Sequence, residues 1–125
     1  MNREQCIDKM YRKVMEEVPI SREAFGNSLQ GVDIKPMILE GECVGVQTLR
    51  GNEIHCMIDR QASLQNMRRL IRMYCAEPLE RFGSLTTRCD PNDKRDVVFL
   101  HRMGFEDTGL IDGLLHMRLL QLKIQ

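Results

Sequence analysis

Val97-Val98-Phe99-Leu100-His101-Arg102-Met103-Gly104-Phe105-Glu106-Asp107-Thr108-Gly109 decides how this 125-residue chain reads. The stretch reads as an amphipathic helix halted at Gly104, since glycine commonly closes helices in the left-handed conformation. Phe105 follows, then an acidic turn, then a last apolar strand from about Leu114 to Leu122. Leu115, Met117 and Leu119 share one face of that strand. Ahead of the helix, Asp90-Pro91-Asn92-Asp93 makes a turn, with Asn92 as the expected N-cap. Ser84 to Cys89 fits a short strand, and Thr86 and Thr87 favour extended backbone there.

Further towards the N-terminus, the strongest helical pattern runs from about Ser63 to Tyr74 and extends at most to Arg81. Leu64, Met67, Leu70 or Ile71, Tyr74 and Cys75 form its buried stripe. Ser63 suits an N-cap. Pro78 should end or kink this helix, because it lacks an amide hydrogen and its ring crowds the preceding turn. Three strands precede it: Met37 to Glu40, Glu42 to Leu49 and Glu53 to Asp59. Val44, Val46 and Thr48 fall on one face of the second; Ile54, Cys56 and Ile58 fall on one face of the third. Arg50-Gly51-Asn52 suits a tight hairpin, so the segment reads as an antiparallel meander. Ser28 to Lys35 reads as a loop, and Ser21 to Phe25 as a helical turn stopped by Gly26. Asn2 to Glu17 reads as a helix ended by Pro19. Its stripe of Cys6, Ile7, Met10, Tyr11, Val14 and Val18 fits either the chain's own sheet or a partner chain.

Composition sets limits on function. Lys plus Arg and Asp plus Glu both number 18, so net charge gives no strong nucleic-acid signal. No apolar run approaches the roughly 20 residues of a membrane span, and Met1-Asn2-Arg3-Glu4-Gln5 lacks the apolar core of a signal peptide. Five widely spaced cysteines without a Cys-x-x-Cys argue for reduced thiols rather than a disulfide framework. His55, Cys56, Cys89, His101 and His116 lack metal-ligand spacing, so no metal is expected.

From about Met37 onward, the order of meander, long helix, strand, helix and strand, closing on Met103-Gly104-Phe105, resembles the GNAT (Gcn5-related N-acetyltransferase) superfamily. Within it, Arg68-Arg69-Leu70-Ile71-Arg72-Met73-Tyr74 followed by Leu79-Glu80-Arg81-Phe82 is similar to the GNAT-like short internal-virion proteins of podophages. The resemblance implies one α/β (α+β) domain over residues 1–125, with a mixed, mostly antiparallel twisted sheet flanked by helices. Residues 1–34 would be its helical N-terminal part, 35–59 the meander and 60–125 the helix-strand-helix-strand part.

The resemblance also implies where chemistry would sit. Working GNAT enzymes bind acetyl-CoA at a Gln/Arg-x-x-Gly-x-Gly/Ala loop before the long helix, where backbone amides meet the pyrophosphate. The matching residues are Arg60, Gln61, Ala62, Ser63, Leu64 and Gln65. Arg60 fits the pattern, whereas Ser63 and Gln65 replace small residues and would crowd the phosphates. Arg68, Arg69 and Arg72 could add positive charge. The family's general-acid tyrosine falls at Leu100, which cannot donate a proton. Asn92 or Asp93 matches an asparagine at the start of that helix. Glu53, His55 and Asp59 are the candidate bases, and an imidazole is the natural proton acceptor near neutral pH. On this reading the chain is a non-catalytic GNAT-like protein, a phage virion or assembly component that acts through protein–protein contacts. Its place would be the virion or the host cytoplasm, with acetyl-CoA possible but not favoured. The alternative is an acetyl-CoA-dependent N-acetyltransferase with an atypical pyrophosphate loop, which requires two central strands to part.

Overall fold

The computed structural model describes residues 1–59 and 63–123. In chain order its elements are α1 (Arg3–Val14), α2 (Arg22–Ser28), β1 (Asp33–Leu39), β2 (Glu42–Arg50), β3 (Glu53–Ile58), α3 (Leu64–Phe82), β4 (Leu85–Cys89), α4 (Lys94–Met103), β5 (Glu106–Ile111) and β6 (Leu114–Leu119). The strands form one sheet in the order β1-β2-β3-β4-β6-β5. Every neighbouring pair is antiparallel except β3 and β4, which run parallel. This is the mixed, mostly antiparallel α/β domain expected from the sequence.

Two apolar layers sandwich the sheet. On one side, Cys6, Ile7 and Met10 of α1 bury against Val46, with Phe25, Leu29, Ile34 and Met57 around them. The α1 stripe therefore serves the chain's own sheet. Asn2 and Gln5 start α1 with a reciprocal capping box, their side chains accepting from each other's backbone amides at 2.8 and 2.9 Å. On the other side, Leu70, Ile71 and Cys75 of α3 join Met103 of α4 over Met37, Ile54, Leu85, Met117 and Leu119.

Several boundaries differ from the sequence reading for identifiable reasons. β1 begins at Asp33 rather than Met37, inside the expected loop. Pro36 is tolerated because β1 lies at the sheet's edge, where a missing amide hydrogen breaks no central ladder. Val44 and Val46 do not share a face. The register passes from Met37↔Gly45 to Ile38↔Cys43, leaving Val44 as the extra residue of a β-bulge. Val44 consequently packs with the α3 layer and Val46 with the α1 layer. The acidic turn after Phe105 is instead strand β5, paired to β6 and largely exposed. The N-cap of α4 is Asp93, not Asn92; its carboxylate accepts from the Asp96 amide at 3.2 Å.

Pro78 does not end α3, and the sheet explains why. With no amide hydrogen, Pro78 leaves the carbonyl of Tyr74, one turn earlier, without its helical partner. The buried side chain of Gln47 on β2 donates its Nε2 to that carbonyl at 2.7 Å. The Tyr74 hydroxyl in turn accepts from the Ile38 amide at 2.7 Å, beside the bulge. Gln47→Leu should therefore strand a buried carbonyl and cost about 1–3 kcal/mol. In a Pro78→Ala background the new amide takes over, so the cost should fall sharply. A double-mutant cycle in urea checks this, and equal costs in both backgrounds would contradict the account.

Candidate active site

The parallel pair β3–β4 meets at a single register position, Glu53↔Thr86, reinforced by the Thr86 amide donating to the Asn52 carbonyl at 2.9 Å. Beyond that point the strands part, and a cavity of about 250 Å³ opens between them. Ile54, Cys56 and Ile58 line it from β3, and Thr87, Arg88 and Cys89 from β4. Met67, Ile71 and Cys75 of α3 and Phe99 and Leu100 of α4 close it with Phe105. The walls are mainly apolar, with His55, Thr87, Arg88, Asp90 and Asp96 as polar points.

Alternation along β3 sends Ile54, Cys56 and Ile58 into the α3 layer and turns Glu53 and His55 to the opposite face. There Arg88 grips Glu53 with Nε at 2.9 Å and a terminal nitrogen at 3.1 Å. His55 Nε2 lies 3.3 Å from the same carboxylate. Burial alone would raise the Glu53 pKa, but the bonds from His55 and Arg88 outweigh it and hold the group below its ordinary value. Glu53 is thus an engaged carboxylate that orients His55. When Nε2 carries the proton towards Glu53, Nδ1 is left as the free proton acceptor. This pairing separates two residues that the sequence placed together as alternative bases.

The other expected site residues disperse. Asp59 pairs with Lys9 at 3.2 Å and lies in a different cavity, lined also by Arg12, Lys13 and Glu16. Asn92 is absent from the cleft lining, and its amide donates to Asp90 at 2.9 Å. Leu100 does line the cleft, where a tyrosine would stand. Asp96, one helical turn earlier, lies on the same face of α4. Burial and the neighbouring Asp93 carboxylate push its pKa upward. The cleft cysteines Cys56, Cys75 and Cys89 offer no activated nucleophile, since burial raises each thiol. Burial lifts the Cys75 thiol to about 12 and the Cys56 thiol further still.

Arg60, Gln61 and Ala62 of the expected phosphate loop lie outside the described residues. Ser63 is the N-cap of α3, and its hydroxyl accepts from the Asn66 amide at 3.2 Å. Leu64 and Gln65 are exposed in the first turn. The sequence underrated the next turns. Arg68 Nε and Arg72 Nε are buried yet make no hydrogen bond among the described residues. Each follows a cleft-lining residue, Met67 or Ile71, in sequence, although neither arginine itself lines the cleft. A buried donor without an acceptor is costly, and an anionic group seated beside them would relieve it.

Comparison with solved structures places this architecture. The ribosomal-protein-alanine N-acetyltransferase of Brucella melitensis superposes with a TM-score of 0.69 at 16% identity, over 98% of this chain and 97% of that one. An aminoglycoside acetyltransferase in complex with coenzyme A and kanamycin gives 0.73 at 14%, over 96% and 91%. A chimaera of the Vibrio cholerae spermidine N-acetyltransferase gives 0.72 at 12%, over 94% and 92%. At these identities the likeness establishes the fold, which is that of the GNAT acetyltransferases. No protein-family model and no curated protein matches the sequence. The likeness to podophage virion proteins gains no support from these comparisons, and no described helix is long and apolar enough to cross a membrane.

Proposed function

We propose that the chain is an acetyl-CoA-dependent N-acyltransferase. The observation that carries this reading is the parting of β3 from β4, which leaves the centre of the sheet unpaired and opens a slot lined largely by apolar side chains. The non-catalytic virion role expected from the sequence rested on Ser63 and Gln65 as obstacles and on Leu100 in place of a tyrosine. Ser63 instead spends its hydroxyl on capping α3, and Arg68 and Arg72 supply anion donors that glycines would not.

In this reading the acceptor amine attacks the thioester carbonyl, forming a C–N bond as the C–S bond breaks. His55 takes the proton the amine loses, held in place by Glu53 and Arg88. The leaving thiolate is protonated within the cleft, where Asp96 is the titratable group one helical turn before Leu100 and burial shifts its pKa upward. The acetyl donor fits because its narrow arm suits the cleft and Arg68 and Arg72 offer positive charge for its phosphates.

A thermal-shift titration with acetyl-CoA tests the reading directly. At about a hundred times its dissociation constant the ligand should stabilise the fold by roughly 2.7 kcal/mol. Arg68→Ala combined with Arg72→Ala should remove most of that shift. No shift at millimolar acetyl-CoA would defeat the proposal.

A further inference from the structure

We propose that Gly109 marks a specificity notch for the acceptor, a primary amine joined through an extended, uncharged body to an apolar group. The acceptor's role rests on the transferase reading; the notch is read from the sheet alone. Met117 and Leu119 of β6 are buried in the α3 layer, so alternation turns His116 and Arg118 to the face that carries His55. The register sets Arg88 beside His116 and His116 beside Gly109. A transverse row therefore runs from His55 over Arg88 and His116 to Gly109. The β5 bulge between Asp107 and Gly109 decides what ends that row. With strict alternation from Glu106, Leu110 would share the face of His55. The extra residue instead turns Leu110 away beside Leu115 and brings Gly109 in.

Neither backbone nor packing calls for glycine at this position. Gly109 does not have a positive φ, and nothing lies within 4 Å of a Cβ built there. Glycine weakens a strand interior and often marks a place where another molecule approaches closely. Beside the notch, Ile111 and Leu114 form the next cross-strand pair on the same face, and both are exposed. The apolar layer under α1 takes its sheet residues from β1, β2 and β3, so it does not cover this pair. Charge on the face is balanced, since Arg88 holds Glu53 and Glu106 is the register neighbour of Arg118. A second charge on the acceptor thus gains little, whereas an apolar end gains contact with Ile111 and Leu114. The row begins at the proposed base, which makes the acceptor its occupant. Three strand spacings of about 4.8 Å separate β3 from β5, so an amine held at His55 reaches the notch only through a body of roughly 15 Å.

The test uses the full chain, isotopically labelled for amide NMR, and three terminal amines: ω-phenyloctylamine, phenethylamine and diaminooctane. Titration without acetyl-CoA should perturb the amides of Gly109 and His116, with phenyloctylamine binding most tightly. Gly109→Ile should weaken phenyloctylamine about tenfold or more and leave phenethylamine unchanged. The added side chain meets open space, so the melting temperature should match that of the native chain. Gly109→Val provides the milder variant should the larger side chain disturb folding. Unchanged phenyloctylamine affinity in a folded Gly109 variant would overturn the proposal. So would equal or tighter binding of either other amine by the native chain, or the absence of a response at Gly109. Amide perturbation is read independently of the acetyl-CoA shift. Loss of that shift alone defeats the transferase reading, and loss of the Gly109 response alone defeats the notch.

Discussion

Gly104→Ala should cost about 3–5 kcal/mol of folding stability, enough to remove a large part of what a domain of this size holds. Gly104 closes α4 with φ at +116°, a conformation that side chains with a Cβ resist. The space is closed as well. A Cβ there would lie 2.6 Å from the Gln121 carbonyl oxygen and 3.1 Å from the Leu119 side chain. The segment after β6 cannot retreat freely, because the Lys123 amide donates to the Met103 carbonyl at 3.1 Å. Gly113→Ala supplies the contrast. It also has positive φ, +80°, but nothing lies within 4 Å of the added carbon. Its cost should be only the conformational part, about 1–2 kcal/mol. Equilibrium urea denaturation of both variants separates the two contributions. Equal costs would mean that the C-terminal segment yields and does not lock the helix end.

His55→Ala should lower the turnover of acyl transfer by about a hundredfold or more while leaving the KM for acetyl-CoA nearly unchanged. In the proposed reaction the imidazole acts on the acceptor's proton, not on the donor's phosphates, so its removal should appear in the chemical step. Glu53→Gln should give an intermediate loss, since a neutral amide still reaches His55 but no longer stabilises the charged imidazolium. Arg88→Ala should resemble Glu53→Gln in turnover because it frees the carboxylate that orients the ring. Full turnover in His55→Ala would remove His55 from the chemistry and return attention to a water-mediated route.

How much of this was legible in the sequence differs between elements. The helices α1, α3 and α4 announce themselves through apolar residues at helical spacing and through Asn2, Ser63 and Gly104 at their ends. The β2–β3 hairpin is legible from Gly51-Asn52 between alternating strands. β5 was not, because an exposed edge strand with Glu106, Asp107 and Gly109 has neither apolar alternation nor strong strand propensity. The bulge at Val44 was also hidden, since one extra residue reverses the faces without any change in composition. At the site, His55 and Glu53 are visible as neighbours on one strand. Arg88 is 35 residues from Glu53 and reaches it only through the parallel pairing of β3 and β4. Arg68 and Arg72 are legible in the sequence as positive charge near the expected phosphate loop, whereas the burial of their Nε atoms is visible only in the fold. Asp96 carried no motif and emerged from its position one turn before Leu100.

The solitary Glu53–Thr86 junction divides the molecule along a seam. On one bank lies the meander with α1 and α2; on the other lie β4, β6, β5 and α4, and α3 bridges both. Backbone bonding across the seam is nearly absent, so a guest lodged there would act as mortar between the banks. Amide exchange in β3 and β4 beyond the junction should then slow more than exchange elsewhere when the cleft is filled.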